Sequence, residues 1–442
     1  MGLIESFRVC GMVVAQVNAG KLVSVIADVF CGPVTDDGFP NSFHLGGQGG
    51  MKRESKRRRH MVLAVLLLGV SSGTRVPGQA QQFAGETDRS FVNDSTTKTA
   101  RENYQRALSQ YQAGRYQEAL SSLQEALKLD PNFAIAHNSA CVVYDKLGRS
   151  AEAINSCERA VALKPDLAVA HYNLGVLYDD ASRTEEAIRS FTIALRLGPG
   201  DARAHYGLAC INSRRGRYAE AIDDLKIAIA LRPNYAEALN ELGVAYAQTR
   251  QYGLALGMFL RAIDCRPDEA HLFGNLASAY YFLDRDAQAI NALEKALELQ
   301  PTFSLAYAKM GQVYLRMGRY EEAVTSISKA IELDLKDATA FNDLGYAYMK
   351  LGRRQDAVVE FKRAIALEPT LVVARFNLGV LDVSLKNRDA ALEQYAVLKT
   401  LDTEVANRLF NMIFRTRVVR AATLSLSQNK ELIARNPKPR RH

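Results

Sequence analysis

Residues 338–369 read ATAFNDLGYAYMKLGRRQDAVVEFKRAIALEP, and their pattern decides the fold. Apolar and small residues fall at helical spacing on either side of Gly352: Leu344, Gly345 and Tyr348 before it, Ala357, Phe361 and Ala364 after it. The reading is two amphipathic helices joined at a left-handed turn, with Pro369 closing the second. Neither helix could bury its apolar face alone, so the deciding question is whether the pattern returns.

It returns every 34 residues from Ala100 through Val405. Ala119, Ala153, Ala187, Ala221, Ala255, Ala289, Ala323, Ala357 and Ala391 form one row, and Ala126, Ala160, Ala194, Ala228, Ala262, Ala296, Ala330 and Ala364 a second. Twelve residues before the first row the side chain is small again: Ala107, Cys141, Gly175, Ala209, Gly243, Ala277, Gly311, Gly345 and Gly379. Such sites let two helices approach closely. Leu and Tyr rows fill the first helix, and Leu123, Phe191, Leu225, Phe259, Leu293, Ile327, Phe361 and Tyr395 fill the second. Gly114, Gly148, Gly216, Gly318 and Gly352 mark the turn between them, and Pro131, Pro165, Pro199, Pro233, Pro267, Pro301 and Pro369 the turn between repeats.

The pattern N-L-G…Y…G-R-Y…E-A-I…F…A-L-x-L-x-P closely resembles the tetratricopeptide repeat, over about 70% of the chain. The resemblance implies an all-α solenoid, a right-handed superhelix of nine helix-turn-helix repeats: 100–133, 134–167, 168–201, 202–235, 236–269, 270–303, 304–337, 338–371 and 372–405. Departures are local. Repeat seven has Leu335 at the proline position, repeat nine has Thr403 there, and repeat one shows Arg106 and Gln110 where Leu and Tyr belong. After the array, residues 404–415 read as a capping helix with Ala406, Leu409, Phe410 and Ile413 on its packed face.

The net charge of +8 is concentrated at the ends. Residues 1–99 carry 11 basic and 8 acidic side chains, and residues 406–442 carry 9 basic and 1 acidic, which leaves the repeats at −3. A phosphate-binding face needs a concentrated basic stripe, so no nucleic acid partner is expected. The basic tail, 416–442, could reach an acidic partner or anionic lipid.

Residues 51–80 read as a signal peptide: a basic stretch from Lys52 to Arg59, a ten-residue apolar run from Met61 to Val70, and small residues Gly78 and Ala80 before the cleavage point. Ten residues make about 15 Å of helix, half of a bilayer core, so the run does not span. The expectation is initiation at Met51, with residues 1–50 an over-extension of the gene, and cleavage after Ala80 into the periplasm or medium. Residues 81–99 are polar and read as a disordered linker.

Chemistry has little room. Cys141 and Cys157 belong to one repeat, and export would permit a disulfide, but both sit where a small apolar residue suits the core, and that reading is preferred. No C-x-x-C occurs. His137, His171 and His205 lie one per repeat, about 10 Å apart in a stack, too far to share one ion; they read as helix-packing residues. No enzyme activity, cofactor or metal is expected.

By the resemblance, the fifth, sixth, ninth, twelfth and thirteenth positions of each repeat line the concave face. They supply Tyr172, Val176, Asp179, Tyr206, Arg214, Asn240, Asn275, Tyr281, Phe282, Arg316, Asn342 and Tyr346 as candidate peptide contacts. Tyr172, Tyr206, Tyr281 and Phe282 are expected to stand exposed there, which would mark them for use. The chaperone-tail clamp of the family is not matched, since Asn138 pairs with Val142 and Tyr172 with Val176. An Asn ladder like that of the O-linked N-acetylglucosamine transferase arm begins at Asn173, Asn275 and Asn377, but Gly207, Glu241, Lys309 and Asp343 interrupt it. The resulting expectation is an exported scaffold or adaptor that binds peptide segments or partner helices. Its rivals are a docking subunit of a separately encoded envelope enzyme and an RNA-binding helical repeat.

Overall fold

A computed structural model describes residues 95–414. The readings of the leader, of residues 81–94 and of the basic tail lie outside the described residues. Two compact units divide the described chain after Pro267.

The first unit holds α1 (Ser95–Gln112), α2 (Tyr116–Leu129), α3 (Ala134–Lys146), α4 (Ser150–Leu163), α5 (Ala168–Asp180), α6 (Thr184–Leu197), α7 (Ala202–Arg214), α8 (Tyr218–Leu231), α9 (Ala236–Gln248) and α10 (Tyr252–Cys265). The second holds α11 (Ala270–Phe282), α12 (Asp286–Leu299), α13 (Ser304–Met317), α14 (Tyr320–Glu332), α15 (Ala338–Lys350), α16 (Arg354–Leu367), α17 (Val372–Ser384), α18 (Arg388–Leu401) and a last helix, α19, over 403–414. Each unit is a stack of antiparallel helix pairs in sequence order, the tetratricopeptide solenoid architecture, and no strand occurs among the described residues. Helix α1 begins at Ser95, so residues 95–99 of the segment read as a linker are helical.

Both alanine rows are buried throughout, at no more than 2% exposure. The glycines opposite them admit large side chains. A β-carbon on Gly175 would stand 2.6 Å from the Phe191 ring, and one on Gly345 2.8 Å from Phe361. In repeat two the corresponding residues are Cys141 and Cys157, and they form a disulfide with their α-carbons 5.3 Å apart. This corrects the reading of that pair as reduced core residues. They are small and buried, as expected, but they also face each other across the helix pair at bonding distance.

Every first helix ends in the same way. In repeat two, Arg149 N–H donates to the Tyr144 carbonyl at 2.9 Å and Gly148 N–H to that of Asp145 at 2.9 Å, around a left-handed residue. Gly114, Gly148, Gly216, Gly318 and Gly352 take that conformation, and Ser182, Arg250, Asp284 and Lys386 take it in the other four repeats, with φ of 60–63°. In repeats two, three, seven and eight the arginine after the turn lies over a first-helix tyrosine and pairs with an acid three residues on, as Arg149 does with Tyr144 and Glu152 and Arg353 with Tyr348 and Asp356. Repeat seven, lacking its proline, closes α14 instead on left-handed Asp334, whose follower Leu335 donates to the Ala330 carbonyl at 3.1 Å.

Of His137, His171 and His205, the first two serve the turns between repeats, and the third pairs within its own repeat. His137 Nε2 meets the Pro131 carbonyl at 3.0 Å and His171 Nε2 that of Pro165 at 2.9 Å, while His205 Nδ1 meets Asp224 at 2.9 Å. At the carboxyl end Asp402 caps α19 by accepting from Val405 N–H at 2.9 Å, and Val405, Ala406, Leu409 and Ile413 are buried against α17 and α18. Leu409 fills the space in front of Gly379 that a second-helix residue fills elsewhere. Phe410, expected on the packed face, is 39% exposed and stacks between Tyr395 and Phe414, because Val405 rather than Phe410 completes the buried stripe.

Candidate interaction surface

Successive first helices pack with a one-residue offset, so their side chains meet at a separation of 35 rather than 34. In the first unit Ser139 Oγ donates to the Tyr104 hydroxyl at 3.3 Å, and Asn173 Nδ2 to Asn138 Oδ1 at 2.9 Å. Arg214 pairs with Asp179 across the same offset. In the second unit Asn377 Nδ2 donates to Asn342 Oδ1 at 3.0 Å, and Lys309 Nζ to the Gly274 carbonyl at 3.3 Å. Arg316 Nη1 donates to the Tyr281 carbonyl at 2.6 Å, its guanidinium 3.4 Å from the Tyr281 ring centroid, and it also pairs with Asp286. These rungs join fifth to sixth and twelfth to thirteenth positions of neighbouring repeats. The positions that the resemblance assigns to ligand are therefore also those that hold one repeat to the next.

That double duty decides where the candidate residues lie. Tyr172, Val176, Tyr206, Asn240, Asn275, Tyr281, Phe282, Asn342 and Tyr346 are all buried, at 9% exposure or less. The expectation of an exposed aromatic row is corrected accordingly. Tyr206 packs on Tyr235 with centroids 5.1 Å apart, and Tyr172 packs on Phe191 at 5.9 Å beneath the Arg203 guanidinium at 4.5 Å. A ring at the fifth position enters the wedge between its own second helix and the next repeat, where it gains far more from burial than from facing water. Asp179 and Arg316 are half-buried and Arg214 is exposed. They sit at the carboxyl ends of first helices, as does half-buried Lys350, and half-buried Gln312 lies one turn before Arg316.

Two ionisable groups on this face were not singled out as sites. Lys309 is buried, with Nζ 2.6 Å from Ser278 Oγ, and burial lowers its pKa to about 7. Asp343 accepts from Gln312 Nε2 at 3.0 Å and from Asn342 Nδ2 at 3.2 Å, yet burial raises its pKa to about 7. The signal was present, since both interrupt the Asn row, but only burial turns an interruption into a perturbed acid or base. The Asn138 amide and the Asn173 carbonyl oxygen beyond their shared bond have no hydrogen-bond partner, and neither has the Tyr172 hydroxyl. Among the described residues no group of His, Cys, Asp and Glu could hold a metal ion, and no helix is long and apolar enough to cross a membrane.

Comparison with known proteins bears on this architecture. A tetratricopeptide repeat model matches residues 104–168 and 172–225, and the model of the Cilia and flagella-associated protein 70 C-terminal domain matches 201–408. Among solved structures, YrrB, described as a TPR protein with an unusual peptide-binding site, is 25% identical and covers 42% of this chain and 97% of its own, with a TM-score of 0.36. A tetratricopeptide repeat protein from Parabacteroides merdae is 18% identical over 57% of this chain and 99% of its own, at 0.44. The Cut9–Hcn1 hetero-tetramer of APC/C is 16% identical over 74% of this chain and 63% of the matched chain, at 0.47. No curated protein sequence matches. The repeat period, the helix-pair stacks and these two family models agree: the chain belongs to the tetratricopeptide-repeat family.

Proposed function

We propose that the chain is a non-catalytic scaffold, outside the cytoplasm, that binds peptide segments or partner helices along its first-helix face. One observation carries the reading. The fifth and sixth positions are consumed by rungs between repeats, which stiffen the face within each unit, while polar side chains paired within the array still reach its surface: Arg214 with Asp179, Arg316 with Asp286, Gln312 with Asp343, and Lys350 over the Tyr346 ring. A preorganised polar face suits an extended backbone or an amphipathic helix, because little ordering is needed on binding. Selection of displayed random peptides on the purified chain tests this. Enriched peptides should lose binding on Lys350→Glu and keep it on Ile227→Glu, which alters an outer second-helix residue; the reverse pattern would overturn the proposal.

Export is supported by the basic and apolar segments of residues 51–80 and by the Cys141–Cys157 disulfide, a bond that persists in oxidising compartments. Mass spectrometry of fractionated cells should find a mature terminus at Gln81 outside the cytosol. A cytosolic chain that retains residues 51–80 would contradict it.

A further inference from the structure

Repeat two departs from its neighbours at the central contact of the helix pair. In repeats three, five, seven and eight a first-helix glycine receives Phe191, Phe259, Ile327 or Phe361 so closely that a β-carbon would stand within 2.3–2.8 Å of the side chain. In repeat two both partners are cysteines, joined covalently. Helix α4 consequently buries only Ala153, Cys157 and Ala160. The other second helices among the described residues each bury at least one Leu, Ile or Phe.

We propose that the Cys141–Cys157 bond is a covalent replacement for the missing apolar knob, and that it makes the docking of the amino-terminal repeats conditional on redox state. The bond forms by exchange with an external disulfide, of a dithiol oxidase or of oxidised glutathione. One cysteine thiolate attacks the donor and releases a first thiol; the other cysteine thiolate displaces a second, so two electrons and two protons leave with the donor. A dithiol reductant runs the steps backwards. Once reduced, two small side chains occupy a space whose second-helix residue is a leucine or a phenylalanine in the repeats on either side, and α4 keeps no large buried side chain. In a linear array each repeat is held by its neighbours alone, so a loosened repeat two releases α1 and α2 from the repeats that follow. Cys210 is buried in α7, where burial pushes its thiol pKa up and makes it a poor partner for exchange.

Hydrogen exchange of the purified full chain, oxidised and after equilibration with a phosphine reductant, tests this. Reduction should accelerate exchange over residues 95–165 by roughly tenfold or more and leave 168–414 unchanged. The Cys141→Ser, Cys157→Ser variant should match the reduced protein without reductant. The Cys141→Gly, Cys157→Phe variant rebuilds the knob and should stay protected in either condition. Equal protection of the oxidised and reduced chains would overturn the proposal, as would loss of protection throughout, or free thiols at both positions after treatment with oxidised glutathione.

Discussion

A β-carbon added to Gly243 would stand 2.5 Å from Cε1 of Phe259, inside the ring's van der Waals surface. The glycine is there for space, since the buried ring has nowhere else to go. Gly243→Ala is expected to lower stability by about 1–3 kcal/mol through overpacking. Gly257→Ala, on α10 with nothing within 4 Å of the new atom, is expected to raise it by about 0.5–1 kcal/mol through helix propensity. Shifts of the urea midpoint in opposite directions check the pair.

Tyr172 separates packing from polarity. Its ring is buried at 1% exposure and its hydroxyl has no partner. Tyr172→Ala should cost about 3–5 kcal/mol, as for a large aromatic removed from a core. Tyr172→Phe should be neutral or stabilising by up to about 1 kcal/mol, because the unpaired hydroxyl goes. Thermal melts of the two variants distinguish this from a surface role, in which both changes would leave stability alone.

Four of the turns that join the two helices of a repeat hold a residue other than glycine at a left-handed φ, Arg250 at 63° among them. Arg250→Gly is expected to raise the melting temperature, by the equivalent of up to about 1 kcal/mol, since the β-carbon clash disappears. Gly352→Ala, at φ 74°, should lower it by a similar amount.

Much of this was legible in the sequence. The alanine and glycine rows fixed helix pairing, and five glycines marked the turns. The other four turns carried no such mark, because the closing hydrogen bonds impose the left-handed conformation on Ser182, Arg250, Asp284 and Lys386 regardless of residue type. The face of the first helices was harder. A period of 34 shows that positions recur, but not that neighbouring helices meet at an offset of 35, so Tyr172 and Tyr206 read as exposed when they close the wedge between repeats. The disulfide was likewise underdetermined: a small buried residue suits both positions, and only the facing geometry joins them.

Lys309 and Asp343 give the second unit a pH signature. Lys309 has a pKa of about 7 folded against 10.5 unfolded, so between those values the unfolded chain holds the extra proton and stability rises with pH. Asp343 has about 7 folded against 3.8, so the folded chain holds the extra proton and stability falls as pH climbs through that window. Together they place a minimum near pH 7. Lys309→Met should remove the alkaline rise and stabilise by about 1–3 kcal/mol at and below neutral pH, and Asp343→Asn should remove the acidic fall. Denaturant melts across pH for the three proteins check both slopes.

Site-specific photo-crosslinking in cells tests the scaffold reading most directly. A benzophenone amino acid in place of Gln312 or Lys350 samples the first-helix face; in place of Ile227 or Val359, 44% and 46% exposed, it samples the outer surface of second helices. Partner adducts from positions 312 and 350, with few from 227 and 359, are the expected result. Adducts confined to positions 227 and 359 would contradict it and move the partner to the outer surface.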